Sequence, residues 1–362
     1  MTSAPTVYAT RDMVIHALDS TPTPRLNAAI DRALAAATIL IEDAASGKCF
    51  HPLYETRAYD WPDLESYTGR ALHLWHAPLT QATQITVGGT ALTAGSYHLR
   101  PDDGPPYDTV LLDQDTMPGF WKTDPTTGIE DAVTITGLWG IGADKSFPAG
   151  TLAAAGITDS ATALVLDAVT QPLRAAVGGI LGIGTELVIV TDVAWKTLTA
   201  IVGVGGLPAS LQNTILPISS TAGIAPGQYL SIDGEKLLVI DILTGTSLLV
   251  QRAQHGTVLT AHLAGAAVLA PWSLTVERGV LGTTAAAHAG ASAVTAHPAP
   301  GLVEQTAVAC AIAQVLDQVA GYAHPPGPSG GAQKASMTGA GAEYLLGRVE
   351  AEYGRHYRVG AI

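Results

Sequence analysis

Two stretches of the sequence decide how the middle of this chain is read: LLVQRAQHGTVLTAH, Leu248–His262, and LTVERGVLGTTAAAH, Leu274–His288. Arg252, Gly256, Thr257 and His262 in the first match Arg278, Gly282, Thr283 and His288 in the second at a fixed offset of 26. A second correspondence lies upstream. GQYLSIDGEKLLVIDI (227–242) matches GGILGIGTELVIVTDV (178–193) at an offset of 49, pairing Gly227 with Gly178, Glu235 with Glu186 and Asp241 with Asp192. A tandem array has one period, and these offsets differ. The upstream half-unit ending near Trp195 finds no Arg–Gly-Thr–His partner until after a complete second copy has passed. Nesting explains this: one β unit is inserted into a surface turn of another, where a longer loop costs little entropy.

Duplication also bears on chemistry. Histidines at the same place in two copies point to a shared structural task, so Arg252, Gly256, His262, Arg278, Gly282 and His288 are expected to close each unit. Each glycine should sit at positive φ and each imidazole should bond backbone. His255 has no histidine counterpart, because Leu281 stands at the aligned position. A metal site needs convergent ligands, and no Asp or Cys partners stand at suitable spacing. No metal or cofactor is expected.

Around this repeat the composition shifts. Residues 148–300 are rich in Ala, Gly, Val and Thr with almost no helical pattern, and are expected to form an inserted all-β region. Its outer unit spans about 160–195 plus 272–297, and its inner unit about 210–270. Upstream, Thr10 is an N-cap candidate before RDMVIHAL. From Pro24, Leu26, Ile30, Leu34, Ala37 and Ile41 recur at helical spacing up to Gly47, a C′ glycine. Short runs such as ITVGG, SYHLRP, YDTVLLD and AVTITGLWG then read as a small antiparallel sheet, with a Gly-Gly hairpin turn in VGGTALTAGSY. Trp61, Trp75, Trp121 and Trp139 fall in that sheet and are expected in its core. Downstream, LVEQTAVACAIAQVLDQVAG is helical, with Val308, Ile312, Val315, Leu316 and Val319 on one face. The segments are therefore 1–147, helices and sheet; 148–300, the insertion; 301–323, a resumed helix; and 324–362, a flexible linker and arm. The fold class expected is α+β, a helical core with a small antiparallel sheet, plus two nested β units.

Several function classes recede. The net charge of −13, with 18 Lys and Arg, disfavours a protein that grips phosphates, although an acidic surface keeps passing DNA from sticking. No apolar run reaches the ~18 residues of a membrane span, and the N-terminus lacks a secretory pattern. Cys49 and Cys310 are expected as buried thiols. HExxH and CxxC are absent from the sequence, and the glycine-rich stretches lack a following GK[ST]. Asp102, Asp103, Asp108, Asp113 and Asp115 read as a solvated turn region. No enzyme is expected.

YATRDMVIHALD, the amphipathic helix ending in IEDAASGKCFHP, TRAYDWP, the stretch ALHLWHAPLTQATQITVGGTALTAGSYHLRPDDGPPYDTVLLD and then VTITGLWG together resemble the head-tail connector (head completion, or neck adaptor) proteins of tailed bacteriophages. The resemblance covers about 1–145 and the helix from Leu302. It implies a structural virion protein assembled in the host cytoplasm into a homo-oligomeric ring, commonly a dodecamer. The partners implied for such a ring are the portal protein, a downstream neck or tail protein and the major capsid protein, with genomic DNA passing through its lumen. No membrane is implied. An arm that orders on a partner is expected from Tyr344, Leu345, Val349, Tyr353, Arg355 and Tyr357. The competing class is a β-rich surface- or carbohydrate-binding protein in which the insertion is the functional part.

Overall fold

The computed structural model describes residues 5–60, 71–74, 77–113, 126, 128–323 and 331–354. The chain divides into two compact units: Met1–Thr38, Ser146–Pro298 and Gln305–Ala342 form one, and Ile39–Lys145, Ala299–Glu304 and Glu343–Ile362 the other. The first helical residues thus group with the β region rather than with the sheet that follows them in sequence.

Helix α1 (Arg11–Leu18) starts where Thr10 caps it: its Oγ1 accepts from the Met13 N–H and donates to Leu173 O at 2.5 Å. Helix α2 (Pro24–Ala44) buries Ile30, Ala33, Leu34, Ala37 and Ile41. It ends with the Gly47 N–H bonded to Glu42 O at φ +80°, as the sequence predicts.

The unit that holds residues 39–145 carries two antiparallel sheets. The strands are β1 (Leu53–Tyr59), β2 (Ala71–His73), β3 (Leu79–Val87), β4 (Thr90–Ala91), β5 (Tyr97–Arg100), β6 (Thr109–Leu112) and β7 (Val133–Trp139). One sheet runs β1-β7-β3-β4 and the other β2-β6-β5. The Gly88–Gly89 turn has φ of +53° and +75°, the left-handed pair a tight hairpin requires. Trp139, fully buried at the end of β7, donates its indole N–H to Glu55 O and lies under the Arg57 guanidinium. Its neighbour Gly140 is obligatory: φ is +113°, and a Cβ there would lie 2.1 Å from His51 O. Trp61, Trp75, Trp121 and Asp115 lie outside the described residues. Asp102 pairs with Arg100 at the exposed turn.

The β region is one continuous sheet of ten strands. They are β8 (Phe147–Leu152), β9 (Ala163–Val169), β10 (Ile180–Ile183), β11 (Glu186–Ile201), β12 (Ile215–Pro217), β13 (Tyr229–Ile232), β14 (Glu235–Thr244), β15 (Ser247–Gln251), β16 (Ala267–Glu277) and β17 (Ala293–Ala296). Their order is β11-β10-β17-β8-β9-β16-β13-β14-β15-β12, and β11 also pairs with β16. That last pairing closes β11, β10, β17, β8, β9 and β16 into a six-stranded barrel.

The long strands β11 and β16 carry the nesting. Their barrel-side halves pair through Ile189↔Glu277 and Val190↔Val276; beyond a register slip they pair again through Lys196↔Ala270 and Thr197↔Leu269. The distal halves then serve the second circuit, in which β16 meets β13 at Ser231↔Leu269 and the residue just past β11 meets the residue just past β12 at the Val202↔Ile218 bridge. In the inner unit, the corresponding hairpin β14–β15 closes with a short turn at Gly245–Thr246. The inner unit therefore occupies, in the outer one, the place of a hairpin turn. Matching β-bulges confirm the alignment: register slips between Val190 and Asp192 and between Val239 and Asp241. At each bulge the Asp carboxylate accepts the following backbone N–H, at 2.9 and 2.8 Å.

Two expectations need correction. The fold class is not a helical core with a small sheet: among the described residues strand exceeds helix, and four helices stand beside a closed six-stranded barrel. The reason lies in burial. The largest apolar cluster is built wholly of residues between Ala149 and Ala296, with Leu164, Leu181, Val188, Val268 and Val294 fully enclosed, so strands rather than helices supply the main core.

The second correction concerns 324–362. Helix α3 (Gly301–Ala323) is followed by α4 (Gly331–Tyr353), so helix begins inside the expected linker at Gly331, while the tail from Ala342 is helical up to Tyr353, as its own pattern suggests. The helix-breaking prolines end at Pro328, and beyond them Ala, Gln, Lys and Met sustain helix despite the glycines. Along α3 the buried stripe is Val303, Thr306, Ala307, Cys310, Ala311 and Val315, whereas Leu316 is exposed. Small residues and two valines face inward, with Val308 and Ile312 half-buried beside them. No helix among the described residues is long and apolar enough to cross a membrane.

Candidate functional site

Each β unit is locked by a buried glutamate at the start of a central strand. In the inner unit, Glu235 accepts both arms of Arg252 (Nε to Oε1 2.7 Å, Nη2 to Oε2 2.8 Å), the N–H groups of Ala253 and Thr260, and His262 Nε2 at 2.9 Å. In the outer unit, Glu186 accepts both arms of Arg278 at 2.6 Å, the N–H groups of Gly279 and Ala286, and His288 Nε2 at 2.8 Å. The guanidinium groups then staple neighbouring loops. Arg252 donates to Pro208 O and Thr260 O, and Arg278 to Thr158 O, Ala161 O and Ala286 O. A Thr completes each loop: Thr257 accepts from Lys236 N and Thr283 from Leu187 N, both at 3.0 Å.

The sequence-predicted closing residues are therefore brought together, copy by copy. Gly256 and Gly282 have φ of +68° and +80°. The imidazoles, however, bond carboxylates rather than backbone; it is the main chain of each histidine that bridges, His262 to Leu207 and His288 to Ile157. The hub of each clasp is the glutamate. Its signal was present in the sequence, because Glu186 and Glu235 align at the same offset that pairs their strands.

Burial and charge pull the glutamates in opposite directions. Desolvation raises each carboxyl, but the guanidinium, the imidazole and the backbone N–H donors outweigh it and hold both at about 2. Five donors fill the lone-pair positions of each carboxylate, which leaves none to bind a metal ion or accept a substrate proton. Among the described residues no group of three or more His, Cys, Asp and Glu is placed to hold a metal. The clasps are structural chemistry: paired charges with every partner supplied.

The expected arm is split by its helix. Tyr344 on α4 is 68% exposed and Leu345 half-buried, whereas Val349 is fully buried. Tyr353 packs edge-on against Phe50 at 5.0 Å, and its carbonyl accepts from Lys48 Nζ at 2.6 Å. Burial and Glu352 raise its phenol to about 12. Arg355 and Tyr357 lie outside the described residues. Cys310 is buried, with its thiol pushed up to about 11, while Cys49 is only half-buried.

Comparisons of the chain with protein-family models, with curated proteins and with solved structures find no match.

Proposed function

We propose that this chain is a structural virion protein of a tailed bacteriophage, a ring adaptor between the portal vertex and the tail that passes the genome through its lumen. The observation that carries the reading is the ordered set of segments resembling neck adaptors, from YATRDMVIHALD through VTITGLWG. Three features support it. The net charge of −13 suits a conduit that DNA should not grip. Glutamates saturated by donors suit a load-bearing scaffold rather than a reaction centre. Ile39 and Leu40 on α2 and Tyr344 on α4 expose apolar surface on helices, the surface a heterologous ring contact buries.

Native mass measurement and negative-stain imaging of the purified chain, with and without portal protein, test the reading. Rings, alone or upon portal addition, are expected, and Ile39→Glu with Leu40→Glu should abolish them while leaving the chain folded. A chain that stays monomeric and ignores portal under all conditions contradicts it.

A further inference from the structure

The two β units share a backbone but not a surface. After each clasp arginine the loop takes two left-handed steps: Gly279 and Leu281 at +60° and +54° in the outer unit, Ala253 and His255 at +52° and +53° in the inner. In the outer unit the side chains around this loop form an apolar cluster of Ile180, Leu187, Ile189 and Val280, with Leu281 packed on it. At the corresponding inner positions stand Tyr229, Lys236, Leu238, Gln254 and His255. Four of five apolar positions have become polar without any change in the loop's path.

Three of these four polar side chains, Tyr229, Gln254 and His255, line a cavity of about 200 Å3. Tyr229, Gln251, Gln254 and His255 contribute from the inner unit, and Asp19 and Ser20 from the end of α1. The Tyr229 and His255 rings lie 4.2 Å apart. Ser20 Oγ and His255 Nε2, both shielded from solvent, bond to nothing in the protein. Leaving such atoms unpaired is costly, and the outer unit shows that the same loop accommodates an apolar alternative. The inner polarity is therefore not a requirement of the fold.

Ligand class follows from the donors and acceptors. Burial first, and then Lys236, lowers His255 to about 4, so the ring is neutral near pH 7. Burial, Asp12 and Asp19 raise Tyr229, which keeps its proton. Asp19 is the one charged side chain among the lining residues, and Lys236 stands close enough to His255 to act on its ring, so no excess of either charge marks the site. A hydroxyl both donates and accepts, so it satisfies a serine hydroxyl, an imidazole nitrogen and an amide alike. The volume falls below the ~300–1,000 Å3 of drug-sized pockets, room for one small ring rather than a chain of them. We propose that this cavity binds a single neutral polyhydroxylated ring, the terminal monosaccharide unit of a glycan.

Saturation-transfer NMR on the full chain tests this with free glucose, galactose, mannose and N-acetylglucosamine, and separately with oligosaccharides ending in the same units. At least one neutral sugar should bind at millimolar concentration, and its oligosaccharide should bind through the terminal ring. The Gln254→Val, His255→Leu double variant, which copies the outer loop, should lose binding at least tenfold with no loss of thermal stability. Ser20→Ala, on the opposite wall, should weaken binding several-fold and checks the result independently of the loop. No binding by any neutral sugar, binding only by sialic acid or glucosamine, or unchanged binding in both variants overturns the proposal.

Discussion

The inner and outer β units solve the same closing problem with the same three side chains, yet not equally. In the inner clasp Glu235, Arg252 and His262 are wholly enclosed, with side-chain exposure of 0% for each; in the outer, Arg278 and His288 keep 6% and 12%. A second difference sits one turn away. His262 Nδ1 is held by Asp233 Oδ2 at 2.9 Å, whereas the matching position is Gly184, where a Cβ would stand 3.9 Å from His288 Nδ1. Both positions share left-handed backbone, φ +49° at Asp233 and +60° at Gly184. The inner ring is thus clamped by carboxylates at both nitrogens. The comparison teaches that the nested unit, supported at the tip of another, carries the more completely satisfied clasp.

The largest effect should come from removing a hub. Glu235→Gln strands a guanidinium and an imidazole in the interior and should cost about 3–5 kcal/mol, read by urea unfolding. Glu186→Gln should cost less, because its partners retain some contact with water. Equal losses would break the comparison.

Acid comes next. Both carboxyls are held at about 2, against 4.5 for a free glutamate. A depressed folded value means stability that is fully present above about 4.5 and is lost as pH falls from there towards 2, on the order of 3 kcal/mol per clasp. Unfolding midpoints measured between pH 6 and 2.5 should therefore fall through this window in the wild type, and fall less in either Glu→Gln variant.

The smallest effect sharpens the comparison most. Gly184→Asp should give His288 the partner that His262 already has, raising stability by about 0.5–1.5 kcal/mol; the backbone is one that Asp233 already adopts. Asp233→Gly should lose a similar amount. Thermal unfolding of the pair, with opposite signs, is the check.

Much of this architecture was legible in the residues. The offsets of 26 and 49 were enough to infer that one unit is nested in the other, because Arg, Gly-Thr and His recur intact. Thr10, Gly47 and the Gly88–Gly89 turn announced local structure through chemistry that depends on neighbours only. The third correspondence was hidden: Ile157 with Leu207 and Leu152↔Leu166 with Val202↔Ile218 repeat in space with almost no shared identity, since a β core accepts any aliphatic of similar size. The predominance of strand is harder to read, because long amphipathic helices give a louder periodic signal than short buried strands. The buried face of α3 is legible only in part: Val315 is buried and Val308 and Ile312 half-buried, but Leu316 is exposed, Val319 lies outside the described side chains, and close packing adds Ala307, Cys310 and Ala311. The role of the glutamates required seeing which loop each arginine reaches.

The central claim is that two nested units are locked independently, each by its own Glu–Arg–His clasp. Hydrogen exchange read by mass spectrometry, comparing wild type with Glu235→Gln, tests it most directly. The account predicts that protection is lost in 207–218 and 229–262 while 147–152, 180–190 and 274–296 keep theirs. Equal loss of protection across both units, or none in either, would contradict it.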